Sequence, residues 1–206
     1  MLIADRHCLR ALSLSLLLLG SLAPWRASAQ AVAGSCQVQF FATSTLHDFE
    51  GDAPCALLAI DPPDANGVYL ARAEVAVAQL HTGISARDKK MREMFEAKRF
   101  PRITASFDQV DPSALRRGSA GAIPFRISIH GVERKVTPSV SNWSEVPGKS
   151  ARFQASFVLS LRDFGIEPPI AMGFMRVGEK VKVVVAVELT AKSAAQPAST
   201  LPTRPN

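Results

Sequence analysis

The chain has 206 residues, with 24 Lys and Arg against 18 Asp and Glu and a formal charge of +6. Loss of a secretory leader over residues 1–29 would remove Arg6, Arg10, Arg26 and Asp5, lowering the formal charge to +4. So mild a basicity suits a soluble protein near an anionic membrane surface and makes no demand for nucleic acid.

The N-terminal segment carries the marks of such a leader. Arg6 and Arg10 give a positive start, Ala11–Leu19 a short apolar core, and Ala27-Ser28-Ala29 a small-residue cleavage site before Gln30. The apolar run falls short of the ~20 residues that span a bilayer; retention as an anchor is the competing reading. Periplasmic localisation is therefore expected. Lys192–Asn206, rich in Ala, Ser, Pro and Thr, reads as a disordered tail. Residues 30–191 remain as one domain.

Cys8 leaves with the signal, so Cys36 and Cys55 remain. They flank a hairpin whose tip lies near Leu46–Gly51, and a centre near residue 45 or 46 sets them opposite each other. In an oxidising compartment they are disulfide candidates, worth about 3 kcal/mol on the chain-entropy account. Two buried free thiols are the alternative.

Period-two alternation then predicts strands in succession. Gln37–Ser44 carries Val38, Phe40 and Ala42 in one phase; Ala53–Ile60 follows the LHDFEG turn. After a Pro-Pro-Asp-Ala-Asn-Gly loop, Tyr69–Leu80 alternates through Ala71, Ala73, Val75 and Val77. Arg102–Val110 presents Ile103, Ala105 and Phe107, and Asp111–Gly121 reads as a loop. Ile123–Ile129 is apolar at every second position and turns at His130-Gly131. Glu133–Ser141 contains Pro138, which marks an edge or bulge. Ala151–Leu161 puts Phe153, Ala155, Phe157, Leu159 and Leu161 on one face, and Lys180–Leu189 repeats the pattern with Val181, Val183, Val185 and Val187. Eight such strands imply an antiparallel sheet wrapped around its own core, the size at which a closed barrel can hold one small ligand.

The exception to strand alternation is Thr82–Phe107, which opens on an amphipathic helix. Ser85 is the expected N-cap with Asp88 in a capping-box position. Asp88–Arg92, Lys89–Glu93 and Arg92–Glu96 are i,i+4 pairs of opposite charge. Met91, Met94 and Phe95 form an apolar face, with Arg87 and Lys98 on the same side, and Phe100-Pro101 is the expected stop. A single helix after the third strand of a β-chain reads as a cap over a barrel end. Leu46-His47-Asp48-Phe49 and Leu161-Arg162-Asp163-Phe164 echo each other as turns in which Asp bonds local backbone and Phe packs on the barrel end.

Catalytic chemistry finds no pattern. His47, His81 and His130 sit in or beside turns without HxH or HExxH spacing, so no metal site is expected. There is no GxSxG, no Cys beside a His partner and no Gly-rich phosphate loop. No catalytic residue is assigned, the chain is read as a non-enzyme, and no cofactor is expected.

The order and spacing of STLHDFEG (Ser44–Gly51), QLHTGISARDKKM (Gln79–Met91), FPRITASF (Phe100–Phe107), FRISIHGVERKV (Phe125–Val136) and FVLSLRDFGI (Phe157–Ile166) resemble those of the YceI-like, polyisoprenoid-binding periplasmic proteins. The resemblance covers roughly residues 36–190. It implies a lipocalin-like antiparallel barrel whose apolar cavity holds an isoprenoid or other long-chain lipid. Phe40, Met91, Met94, Phe95, Phe107, Phe125, Ile127, Phe153 and Phe157 then become candidate cavity residues, although in sequence a filled core would look the same. Arg87 becomes a head-group candidate at the cavity mouth; the alternative is that its stem snorkels and its head meets local oxygens. The basic run Arg87, Lys89, Lys90, Arg92, Lys98, Arg99 and Arg102 reads either as a solvated face or as attraction to a lipid surface, implying transient membrane contact. The competing functions are an envelope interaction protein with a filled barrel and no ligand, and a redox partner using a bound quinone. The oligomeric state stays open, a homodimer included.

Overall fold

Inward side chains at every second residue assemble two antiparallel sheets. The computed structural model describes residues 32–116, 123–171 and 175–191. The expected signal and tail lie outside the described residues, as does the segment 117–122 with its Arg117-Gly118.

Sheet one contains β1 (Val32–Ser44), β2 (Phe49–Pro54), β8 (Ser139–Val146), β9 (Ser150–Ser160) and β11 (Met175–Ala191) in the order β2-β1-β11-β9-β8. The short β10 (Ile170–Ala171) pairs with the start of β11. Sheet two contains β3 (Leu57–Ile60), β4 (Tyr69–Ala76), β5 (Arg102–Val110), β6 (Phe125–Ile129) and β7 (Val132–Val136) in chain order. β1 begins at Val32 rather than Gln37, because the long β11 offers it a partner from Val32–Ala191 to Ser44–Val177.

The expected single eight-stranded sheet is replaced by these two sheets, because two of the eight predicted strands each divide between them. The Ala53–Ile60 run breaks at Cys55-Ala56. There the Cys55 N–H donates to the Cys36 carbonyl of sheet one at 2.9 Å, and the next N–H, of Ala56, donates to the Glu74 carbonyl of sheet two at 2.8 Å. The Glu133–Ser141 run breaks at Thr137-Pro138, where proline has no N–H to give to a ladder. β2 and β3 thus edge one side of the two sheets, and β7 and β8 the other.

β4 ends at Ala76 and continues as a 3-10 turn, Val77–Gln79, instead of running to Leu80. The expected loop after β5 contains a short helix, α2 (Pro112–Arg116). His130-Gly131, both at positive φ (53° and 76°), make the two-residue turn between β6 and β7.

Helix α1 (Ser85–Met94) departs from expectation in three ways. Its N-cap is Ile84, without a side-chain cap. Asp88 reaches back past Ser85, accepting from the Thr82 N–H (2.8 Å), the Thr82 hydroxyl (2.6 Å) and the His81 ring (Nδ1, 2.7 Å). It is the one buried side chain of the helix, while Met91 and Met94 are half-buried. The helix ends at Met94, before Phe100-Pro101, as Glu96 turns to φ 46°; Lys98 therefore lies beyond it. The three i,i+4 pairs are superseded: Asp88 is engaged at Thr82 and His81, Glu93 meets Lys90 (3.4 Å), and Glu96 meets Arg99 (3.5 Å) and His130 (3.1 Å).

The main buried cluster gathers toward the α1 end, where Leu80, Phe95, Ile129, Leu161, Phe164 and Ile166 pack together with Phe40 and Val183. A smaller one, Leu115, Ile123 and Val140 against Trp143 and Phe153, lies toward the α2 end. The two echoing turns differ. Phe164 is 1% exposed and part of the core, whereas Phe49 stays half-exposed at the surface.

Candidate ligand cavity

Between the sheets runs a cavity of about 1200 Å³, larger than the ~300–1,000 Å³ of most small-molecule sites. Its walls are the predicted inward positions: Val38, Phe40 and Ala42 of β1, Ala71, Ala73 and Val75 of β4, Ile103, Ala105 and Phe107 of β5, and the alternating residues of β6, β9 and β11. All nine apolar candidates, Phe40, Met91, Met94, Phe95, Phe107, Phe125, Ile127, Phe153 and Phe157, line it. Phe107 stacks on Phe125 (4.9 Å), which meets Phe157 edge-on (5.2 Å), so an aromatic bridge crosses from sheet two to sheet one.

The space exists because small residues face it. Ala73 and Ala105 are directly paired across β4 and β5, and Ala155 stands opposite Val185. Strand alternation puts these alanines in phase with the inward residues but carries no volume by itself. Alanine at an inward position flanked by large inward neighbours is the signal.

Cys36 and Cys55 form a disulfide, with Cα atoms 5.3 Å apart. The β1–β2 register, with Gln37 opposite Pro54, sets them opposite each other. Both face the cavity, so the bond ties the corner strand to β1 from inside.

The cavity reaches exposed residues at both ends, and the ends differ in charge. At the α1 mouth stand Leu46, His47, Phe49, Ile84, Arg87, Lys90 and Ile170. Arg87 stacks on Phe49, its Cζ 4.4 Å from the ring centroid, and makes no carboxylate contact among the described residues. At the opposite mouth Arg116 donates twice to Glu145, at 2.7 and 2.8 Å, and the Trp143 indole N–H donates to the same carboxylate at 3.2 Å. The Arg116 hydrogen bond holds the Glu145 carboxyl below its ordinary pKa despite some desolvation, and Glu145 in turn raises Arg116. That mouth's arginine is neutralised; the α1 mouth's is not. The reading of Phe49 as packed on a barrel end agrees with its place at the α1 mouth, whereas Trp143, Glu145 and His47 are not legible as mouth residues because their meeting depends on long-range pairing.

The basic run disperses. Lys90 meets Glu93, Arg99 meets Glu96, and Arg102 meets Glu74, all at 3.4–3.5 Å and largely solvated on the cation side. Of the histidines, His81 bonds Asp88, His130 bonds Glu96 and packs on Phe100, and His47 lies at the α1 mouth. No group of three or more His, Cys, Asp or Glu residues converges as a metal site among the described residues.

Fold and site together define a class: a β-protein of two antiparallel sheets enclosing one long apolar cavity. The family model described as YceI-like domain matches residues 26–189, and the chain belongs to that family. A polyisoprenoid binding domain from Saccharophagus degradans, implicated in plant cell wall breakdown, has a similar fold, at TM-score 0.58 and 16% identity. The match covers 78% of this chain and 99% of that one. BcnA of Burkholderia cenocepacia aligns at TM-score 0.57 and 15% identity, over 74% and 95%. No curated protein matches at the sequence level.

Proposed function

We propose that the cavity holds the hydrocarbon chain of an isoprenoid or comparable long-chain amphiphile, and that the protein carries or stores it in the periplasm after removal of its signal. The observation that carries this reading is the 1200 Å³ cavity with its almost wholly apolar wall. Burial of lipid yields ~0.8 kcal/mol per CH₂, so about twenty carbons would contribute ~16 kcal/mol before association costs. Apolar contact alone is then sufficient for tight binding, and the head group adds selectivity. Arg87 is the head-group contact in this reading. An empty space of this size argues against a barrel filled by its own side chains. The eight predicted strands, with two bent across the corners, are consistent with a lipocalin-like barrel enclosing the chain.

The test is direct. The protein is purified as its host processes it, extracted with organic solvent, and the extract identified by mass spectrometry. A prenyl or other long-chain lipid in stoichiometric amount is expected. A protein that is empty and takes up no prenyl alcohol would overturn the reading; a redox-cycling quinone would shift it to an electron carrier.

A further inference from the structure

We infer that the α1 mouth is a docking face for an anionic lipid bilayer, through which the cavity exchanges its ligand. This rests on the lipid-binding reading of the cavity and adds the partner surface and its location. Seven large apolar residues are exposed among the described residues, and three of them ring this one opening: Leu46 (52% exposed), Ile84 (49%) and Ile170 (53%). They come from three separate segments. The Thr45 N–H donates to the Arg176 carbonyl at 3.1 Å, and Ile170 pairs with Arg176, so Leu46 and Ile170 flank the same stretch of β11. The stack of Arg87 on Phe49 brings α1, with Ile84 at its start, against the other side of the 46–49 loop.

Cations stand beside this apolar rim. Arg87 and Lys90 line the mouth, and Arg176 is exposed on β11. Neither Arg87 nor Arg176 makes a carboxylate contact among the described residues. Of the nearby acids, Asp48 accepts the Ser44 N–H, Glu167 and Glu179 both meet Arg162, and Glu93 meets the mouth's own Lys90 only loosely, at 3.4 Å with both groups largely exposed. Among the described residues the opposite mouth lacks this combination. There Val146 is exposed, Arg116 is bound by Glu145, and Lys149 is a further cation.

Apolar side chains bordered by cations bind an anionic interface by inserting below the head groups while the cations meet phosphates. Chemical complementarity therefore selects an anionic bilayer over a neutral surface. Docking by this mouth would let a lipid slide between membrane and cavity without its chain crossing water.

The experiment measures co-sedimentation of the host-processed protein with vesicles of phosphatidylcholine alone or mixed with phosphatidylglycerol. Binding to the mixed vesicles is expected, weakening with salt. The double variant Ile84→Asp/Ile170→Asp should lose binding at least ~10-fold, and Lys90→Gln and Arg176→Gln about 5-fold each. Val146→Asp and Val158→Asp should bind as wild type, and circular dichroism checks that every variant is folded. Equal loss in the Val146 and Ile84/Ile170 variants would overturn the proposal. So would self-association removed by the mouth substitutions without vesicle binding, which would assign the rim to a second copy. Uptake of a fluorescent prenyl alcohol by the wild type in vesicle-free buffer separates the two readings. Uptake without vesicle binding overturns docking alone, whereas no uptake overturns the cavity reading on which exchange depends.

Discussion

Arg87 sits over the Phe49 ring, its Cζ 4.4 Å from the centroid, and this contact places a guanidinium with no facing carboxylate among the described residues at the mouth of an apolar cavity. A charge held by an aromatic face rather than by an acid keeps its hydrogen-bond donors available to a ligand. Arg87→Ala is expected to weaken a prenyl phosphate by about 10-fold or more while leaving the corresponding alcohol nearly unchanged. Paired titrations with the two ligands check this; equal losses would remove the head-group role.

Cavity volume is the second quantity to test. Ala73 and Ala105 face each other across β4 and β5 at the wall. Ala105→Phe should occupy that space and shorten the chain length accepted, with prenyl alcohols of increasing length showing an earlier cut-off than in wild type. A dissociation constant unchanged for every length would mean that the chain lies elsewhere.

Asp88 is buried and accepts three hydrogen bonds from Thr82 and His81. Burial pushes its pKa up, but the bonds from the Thr82 hydroxyl and N–H and from His81 outweigh this and hold it below its ordinary unfolded value. Its stabilisation is therefore complete above that unfolded value and is lost as the pH falls through the lower folded one. Asp88→Ala should cost about 1–3 kcal/mol by stranding the Thr82 donors, read from denaturant unfolding at neutral pH. Asp88→Asn should flatten the acid limb of the stability profile; an unchanged limb would place that pH dependence on other carboxylates.

The disulfide ties the corner where the chain passes from one sheet to the other. Cys36→Ser/Cys55→Ser should lower stability by about 3 kcal/mol, and mass spectrometry with and without reductant establishes whether the bond is present in the purified protein. Stability insensitive to reductant in a demonstrably bonded sample would contradict this.

Gly51 stands opposite Phe40 in the β1–β2 register. A Cβ there would collide with the Phe40 ring and with the His81 carbonyl, 2.5 Å away. Because that carbonyl is fixed by the Asp52–His81 bridge, only the ring can yield. Gly51→Ala should therefore cost about 1–3 kcal/mol, and Phe40→Leu in the same chain should recover part of it. A neutral Gly51→Ala would show that the His81 carbonyl yields as well as the Phe40 ring, contradicting the rigidity assigned to the Asp52–His81 bridge.

Much of this molecule is written locally. Every second side chain of a strand shares a face, so Phe153 to Leu161 and Val181 to Val187 could be assigned inward from alternation alone, and those positions do line the cavity. Helix α1 was legible from its residue pattern, and Pro138 marked an edge or bulge because it lacks an N–H, although the full break there into β7 and β8 was not. Other features depend on segments distant in the chain. Whether inward alanines are covered or leave a void depends on how far the opposite sheet stands. Asp88 passes over the capping position expected at Ser85 because His81, held by Asp52, presents the Thr82 donors to it.

The charge difference between the two mouths likewise comes from which residues meet: Glu145 of β8 reaches Arg116 of α2, while among the described residues no acid reaches Arg87. The sequence by itself determined the eight alternating runs, their inward faces and the presence of helix α1, because these follow from backbone periodicity. Only the tertiary structure decided the hollow, its two unlike mouths and the partners of Asp88, because each is set by distances between elements that alternation does not encode.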